Sequence, residues 1–141
     1  MKGAGERLSY VDSTKQIRPE KLKGFLSGRP NPPSAETHLK LLESSDEIVA
    51  AIDDETGDVV GFITALSDGV LSAHITFLEV LPPYRGRGVG RELMRRTPAK
   101  LKGLYAVDVV CDAELRPFYE RFGMKPTMGM ILRDRSRQSG A

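Results

Sequence analysis

The sequence holds a single cysteine, Cys111, among its 141 residues, which excludes an intrachain disulfide and a cysteine-rich metal site. Its two histidines, His38 and His74, lie far apart without metal-ligand spacing, so we expect no bound metal. The longest apolar run, Val59–Leu66, is too short to cross a bilayer, and residues 1–16 lack an apolar segment of signal-peptide length. We therefore expect a cytoplasmic protein with no membrane partner.

An excess of either charge is also lacking, because 21 Lys and Arg residues oppose 19 Asp and Glu residues for a net charge of +2. The segment from Leu81 to Tyr105 differs, since it holds seven cations and one anion. One basic segment in a nearly neutral chain indicates a local anion site. A nucleic-acid surface would also need interleaved aromatic residues, so we expect no nucleic-acid partner.

Hydrophobic patterning predicts a strand-rich middle between helices. Two apolar runs, Ile48–Ile52 and Val59–Leu66, flank an acidic turn and predict an antiparallel hairpin. A third strand is expected over 70–80, where alternation places Ile75, Phe77 and Glu79 on one face. Further strands are predicted near Leu8–Val11 and over Tyr105–Cys111 and Met128–Leu132. Four helices are predicted: one over Pro19–Leu26, one that starts from Ser34, one from Val89 to a break near Pro98, and one over Leu115–Phe122.

This order of elements predicts one domain of mixed α/β class. The hairpin implies antiparallel strands, whereas the strand–helix–strand unit after it implies a parallel pair. We expect a central mixed, mostly antiparallel sheet with one parallel strand pair, flanked by about four helices. The domain is expected to span residues 1–134, followed by a flexible tail over 135–141.

The residues most informative about chemistry form a Gly/Arg loop between the third strand and the next helix. Closely spaced glycines let backbone N–H groups point into one concavity, and the helix N-terminus adds partial positive charge. Guanidinium groups add phosphate donors. Walker A and dinucleotide patterns are both excluded, because the last glycine is followed by Arg91-Glu92 and Arg91 occupies a required glycine position. The loop reads Arg85-Gly86-Arg87-Gly88-Val89-Gly90-Arg91.

This loop resembles the acyl-CoA pyrophosphate loop of the GNAT N-acetyltransferase superfamily, with the signature Q/R-x-x-G-x-G/A. The preceding Leu78-Glu79-Val80-Leu81-Pro82 is similar to the family's L-x-V-x-P strand end, and Phe118–Met124 is similar to its F-Y-x-x-x-G-F segment. The resemblance covers roughly residues 48–131. Two departures are Asp112-Ala113-Glu114, where many members carry Asn, and Pro98 in the helix after the loop.

The resemblance implies acetyl-CoA as co-substrate, bound where the parallel strand pair lies. Backbone N–H groups of the Gly/Arg loop, from Arg87 to Arg91, would hold the pyrophosphate. Leu78 and Val80 would pair their backbone with the acyl-pantetheine arm. Tyr119 would protonate the departing thiolate, although it also lies beside an apolar helical stripe and could simply pack.

Direct attack by an amine on the thioester needs a base, since the amine must be neutral. Glu79 is our candidate, because a carboxylate buried in an apolar strand has a raised pKa. The alternatives are a solvated Glu79 with no catalytic part and His74 as the base. His38 is a further candidate for a substrate contact, and Cys111 is expected to be a small buried hydrophobe.

The implied activity is transfer of an acetyl group to a primary amine of a small-molecule or peptide acceptor. Residues Pro19–Glu43 would border the acceptor pocket, because similar family members vary their acceptor in that region. A non-catalytic acyl-CoA-binding regulatory module is the alternative. Dimers are frequent among similar proteins, so a homodimer is one possible assembly.

Overall fold

A computed structural model of the protein describes residues 7–141, so the first six residues of the expected domain lie outside the description. The strands and helices, in chain order, are β1 (Leu8–Val11), α1 (Ala35–Ser44), β2 (Glu47–Asp53), β3 (Val59–Ser67), β4 (Ser72–Val80), α2 (Val89–Lys100), β5 (Ala106–Val109) and α3 (Arg116–Glu120). Short 3₁₀ turns over Pro19–Lys21, Pro82–Tyr84, Ala113–Leu115 and Arg135–Arg137 connect or follow them.

The five strands form one sheet in chain order, β1 to β5. The first four are antiparallel to their neighbours, and β5 runs parallel to β4. This confirms the predicted mixed sheet with one parallel pair. The β4–β5 ladder is short: it begins at the pair Ser72 and Ala106 and ends at the pair Ile75 and Val109, while β4 continues for five more residues.

Helices α1 and α2 begin where the sequence predicts. The Ser34 hydroxyl accepts a hydrogen bond from the Thr37 N–H at 3.1 Å, which satisfies one free donor of the first turn of α1. Helix α2 starts directly after Gly88. It does not break near Pro98 as expected but ends at Lys100, where the Leu101 N–H bonds to the Pro98 carbonyl. Because Pro98 lies in the last turn, its ring removes only one hydrogen bond.

The sequence predicts about four helices, and residues 7–141 contain three. The region predicted as a helix over Pro19–Leu26 contains only the 3₁₀ turn Pro19–Lys21. Two residues there have left-handed backbone angles, Gly24 with φ 87° and Leu26 with φ 59°. A right-handed helix cannot pass through such residues. The expected flexibility of the tail concerns motion and stays a prediction.

The predicted strand over Met128–Leu132 has no regular secondary structure and no ladder partner among the described residues. Its apolar side chains are largely exposed, with Met130 95% and Leu132 102% accessible. Strand β5 is also shorter than predicted and ends at Val109. Cys111, two residues later, is therefore exposed and not a buried core residue.

The sheet carries a hydrophobic cluster on each face. One contains Leu42 of α1 and Phe62, and the other contains Ile63 with Leu93 and Met94 of α2. A bulge in the β3–β4 register, where Thr64 pairs with Phe77 but Ala65 pairs with Ile75, corrects the predicted alternation. The extra residue places Ile75 in the α2 cluster and Phe77 in the opposite one, so they do not share a face.

Candidate active site

The Gly/Arg loop leads directly into the first turn of α2. Gly86 and Gly88 have φ values of 76° and 82°, which favour glycine, and a Cβ at either would meet no atom within 4 Å. The Glu92 N–H, which bonds to the Gly88 carbonyl at 3.0 Å, is the first donor of the helix with a helical partner. The N–H groups of residues 89–91 are thus available at the positive end of the helix dipole. This arrangement suits a phosphate.

Side chains of the Gly/Arg loop and of the turn before it fix the loop to the sheet, and two of these residues, Tyr84 and Asp53, were not singled out by the sequence analysis. The Tyr84 hydroxyl donates to the buried Asp53 carboxylate at 2.7 Å, which raises the pKa of Tyr84 to about 12. The Arg85 Nε donates to the Val80 carbonyl at 2.8 Å, and the Arg87 guanidinium lies 5.8 Å from the centre of the Tyr84 ring. Asp53 is 31 residues from Tyr84 in the chain, so no local pattern indicates their hydrogen bond.

A cavity of about 300 Å³ opens where β4 and β5 separate. Its walls are residues 75–79 of β4 and residues 109–112 after β5, closed by Leu115 and Tyr119. Beyond Ile75 and Val109 the two strands no longer pair, so β4 presents an unpaired backbone edge to the cavity. An extended acyl chain can bond to such an edge as an added strand does. Leu78 lies on this wall, and its predicted pairing with the pantetheine arm stays a prediction.

Glu79 also lines this cavity, and its carboxylate is half-buried. Its two oxygens accept the Leu26 N–H, at 3.1 and 3.3 Å. Burial raises the pKa of Glu79, while the Leu26 N–H, Arg85 and Arg29 oppose that rise. The unusual left-handed angle of Leu26 occurs at the residue whose N–H faces this carboxylate. Such strain persists where surrounding contacts fix the backbone, frequently at functional sites.

Tyr119 of α3 lies on the opposite side of the same cavity and is only 7% exposed. Burial and the neighbouring Cys111 sulfur raise its pKa, so the phenol keeps its proton at neutral pH. Within residues 7–141 its hydroxyl has no hydrogen-bond partner. The structure thus brings the two predicted catalytic residues, Glu79 and Tyr119, to one cavity.

The other sequence candidates are placed differently. The Gly/Arg loop does not line the cavity but lies beside it, because a Cβ on Gly90 would be 3.8 Å from both Val80 and Phe118. His74 lies outside the cavity, with its Nδ1 2.5 Å from an Asp108 carboxylate oxygen. His38 is buried in the core, 2% exposed, and does not reach the cavity.

Sequence reasoning missed two further groups of the cavity wall, the Leu26 N–H and the Arg133 side chain. Both depend on long-range folding, since Leu26 is 53 residues from Glu79 in the chain. Asp112, which stands where many GNAT members carry Asn, lines the cavity as well.

The described part of the chain has no helix long and apolar enough to cross a membrane. Within the same residues, no group of three His, Cys, Asp or Glu side chains is placed to hold a metal ion.

The profile of the acetyltransferase (GNAT) family matches residues 14–124. A protein from Deinococcus radiodurans R1, described as a candidate acetyltransferase, is 40% identical, with a TM-score of 0.94 over 99% of this chain and 97% of that one. A GNAT-family acetyltransferase from Streptococcus pneumoniae TIGR4 is 25% identical, with a TM-score of 0.73 over 92% of this chain and 99% of that one.

An aminoglycoside N-acetyltransferase solved in complex with CoA shares the fold, at 18% identity and a TM-score of 0.63 over 94% of this chain and 96% of that one. No curated protein matches the sequence. The family profile covers most of the chain, and the 40% identical structure covers nearly all of it. This protein therefore belongs to the GNAT family of acetyltransferases.

Proposed function

We propose that the protein transfers an acetyl group from acetyl-CoA directly to a primary amine. One observation carries the proposal: a cavity between the separated ends of β4 and β5 has a carboxylate, Glu79, on one wall and a protonated phenol, Tyr119, on another. The phosphate-compatible loop lies directly beside this cavity. A base, an acid and an anion site in this arrangement suit acyl transfer from a CoA thioester.

The residues present fit acetyl-CoA, which supplies an activated acetyl thioester. The N–H groups of residues 87–91, with Arg85 and Gly86, would bind the pyrophosphate at the start of α2. The unpaired backbone of β4, at Leu78 and Val80, would hold the acyl-pantetheine arm. An aminoglycoside N-acetyltransferase of the same fold forms a complex with CoA, which supports CoA as the ligand class.

Glu79 takes the proton that the amine must lose. Its raised pKa makes the carboxylate a stronger base than an exposed Glu, and the Leu26 N–H fixes its orientation. A bond then forms between the amine nitrogen and the acetyl carbonyl carbon as the carbon–sulfur bond breaks. Tyr119 gives its phenolic proton to the leaving sulfur, which it can do because its raised pKa keeps that proton in place. The nitrogen of the new amide then loses its second proton, which restores the phenol, and Glu79 releases its own proton to solvent.

The test is Tyr119→Phe, assayed by release of free CoA thiol against a panel of primary amines. Removing a general acid lowers turnover by about 100-fold or more, while acetyl-CoA binding persists. Tyr105→Phe is the matched control, because Tyr105 is 88% exposed and lies outside the cavity. We expect it to keep wild-type turnover.

Equal turnover in Tyr119→Phe and wild type would remove Tyr119 from the mechanism. A thermal-shift titration with acetyl-CoA accompanies the assay, since a ligand of the folded state raises the melting temperature. Binding without turnover of any amine would favour the non-catalytic acyl-CoA-binding module instead.

We also propose that the protein forms a homodimer. Strand β5 lies at the sheet edge and has no neighbour on its outer side among residues 7–141. The segment 127–132 borders β5 across a cavity of about 440 Å³ without pairing to it. One chain thus carries both a free strand edge and an exposed apolar segment beside it, and a second copy could cover both.

A further inference from the structure

Arg29 brings a positive charge to the cavity that holds Glu79. Its guanidinium lies 5.5 Å from the centre of the Phe77 ring, and it lines the cavity wall. The charge reaches Glu79, because it counteracts the rise in that carboxyl's pKa. The residue opens the segment Arg29-Pro30-Asn31-Pro32-Pro33, whose prolines restrict the backbone. Arg29 is therefore held in place by ring stacking and a stiff loop.

Arg133 approaches the same place from the other end of the chain. It lines the cavity with Glu79, and it shares with Arg29 an adjoining hollow of about 320 Å³. The rest of this hollow is formed by Asp134, Arg135 and Gln138. Three arginines and one aspartate thus surround it, which leaves an excess of two positive charges.

The aspartate in this hollow is already engaged. One Asp134 oxygen accepts the Ser136 N–H at 3.0 Å and the Ser136 hydroxyl at 2.5 Å. Neither Arg29 nor Arg133 forms an ion pair with any carboxylate in residues 7–141. The two guanidinium groups therefore face a concave surface without a direct ion pair among the described residues, and the nearby carboxylates of Glu79 and Asp134 already accept other hydrogen bonds.

Contacts within the chain hold the two arginines together although they are more than 100 residues apart in sequence. The Asn31 N–H donates to the Gln138 side-chain oxygen at 3.3 Å. At Gly140 the tail also lies so close to Thr37 that a Cβ would be 3.0 Å from its methyl group. The tail thus packs on the proline-rich loop, so the hollow is a built feature of the fold.

This hollow is separate from the Gly/Arg loop, since Arg85, Arg87 and Arg91 line neither cavity. The anion that it suits is therefore not the CoA pyrophosphate. Guanidinium groups bind carboxylates and phosphates through paired hydrogen bonds, and a partly enclosed site strengthens them.

We propose that Arg29 and Arg133 bind an anionic group, a carboxylate or a phosphate, on the acceptor amine. The inference rests on the proposed acetyl transfer, because it assigns the acceptor class at that site. The anion fixes one end of the acceptor beside Arg29 and Arg133, and the amine extends toward Glu79. Acceptors that carry an acidic group near the amine are the substrates this geometry selects.

The test measures anion binding to protein saturated with CoA, so that the pyrophosphate site is already filled. Thermal unfolding is followed with inorganic phosphate or with acetate, each against chloride at equal ionic strength. Wild type is compared with Arg29→Gln, Arg133→Gln and the matched control Arg18→Gln. Arg18 is exposed and lines neither cavity.

We expect at least one anion to raise the melting temperature of wild type and Arg18→Gln. Arg29→Gln and Arg133→Gln should each lose more than half of that shift, and the responding anion identifies a phosphate or a carboxylate. Shifts of equal size in all four proteins, or none in any, would overturn the proposal. Failure of CoA itself to stabilise wild type would instead count against the proposed function.

Discussion

At the scale of single residues, His38 is the most unusual group outside the site. It is 2% exposed, packs against the rings of Phe25 and Phe62 at centroid distances of 5.4 and 4.5 Å, and its Nε2 has no partner within residues 7–141. Burial lowers its pKa from 6.5 to about 4. The imidazole is therefore neutral in the folded core, and we expect the stability of the fold to decrease at acidic pH because of this buried histidine.

His38→Leu should reduce the loss of stability at low pH. The unfolded chain takes up a proton near pH 6.5 and the folded chain only near 4, so stability declines as pH falls through that range. At pH 5 the expected cost is about 2 kcal/mol relative to pH 7.5. Urea unfolding at pH 5 and pH 7.5 measures the free energy of unfolding at each pH. The difference between the two free energies should be smaller in His38→Leu than in wild type, by about 2 kcal/mol. An unchanged difference would contradict a neutral buried imidazole.

Sequence analysis can identify a site residue when the residues beside it in the chain form a recognisable motif. Glu79 lies within the motif at the end of β4, Tyr119 lies in a recognisable aromatic segment, and both line the cavity. Arg133 and the Leu26 N–H carry no local signal, since each reaches the site only through tertiary packing. Side-chain positions set by distant segments are therefore what sequence reading misses.

At the scale of elements, the position of α2 depends on Gly61 of β3. A Cβ there would lie 3.1 Å from a Val89 methyl, 3.3 Å from a Leu93 methyl and 3.3 Å from the Glu79 carbonyl oxygen. Helix α2, which follows the Gly/Arg loop, thus packs directly against the β3 backbone at Gly61, where no side chain intervenes. Any displacement of this helix also moves the loop.

Gly61→Ala should therefore weaken acetyl-CoA binding from a distance. The extra methyl crowds the first turns of α2, and overpacking of this kind costs about 1–3 kcal/mol. Calorimetric titration with acetyl-CoA should show a raised Kd, and the melting temperature should fall. Gly28→Ala is the matched control, because a Cβ at Gly28 meets nothing within 4 Å. Identical Kd values in the two variants would show that α2 is not positioned by this contact.

The helices and strands were predicted correctly where the local sequence pattern favours the same conformation as the tertiary contacts. The β2–β3 hairpin and the α2 start follow from apolar runs, a turn and a glycine loop in direct succession. The helix over Pro19–Leu26 failed because Gly24 and Leu26 adopt left-handed angles that serve contacts elsewhere, including the bond to Glu79. The bulge near Ile75 escaped prediction because alternation alone cannot reveal an extra residue.

At the scale of the whole molecule, exposed apolar surface is concentrated in the segment 127–132. Met128 is 91% exposed, Met130 95%, Ile131 51% and Leu132 102%. Exposed apolar side chains grouped in this way are uncommon on a monomer and mark an interaction site. The outer edge of β5, unpaired among residues 7–141, lies beside this segment and favours a second copy of the chain as the partner.

Met130→Asp should convert a dimer into a monomer. The substitution leaves an isolated protomer nearly unchanged, because a surface substitution typically alters stability by no more than about 0.5 kcal/mol. In the dimer it would bury an unpaired carboxylate, which costs several kcal/mol. Sedimentation at micromolar concentration should therefore give a dimer for wild type and a monomer for Met130→Asp with an unaltered circular dichroism spectrum.

The control variant is Val70→Asp, at a site 70% exposed in the turn before β4, which should remain dimeric. A monomeric wild type, or a dimeric Met130→Asp, would exclude this segment as the interface.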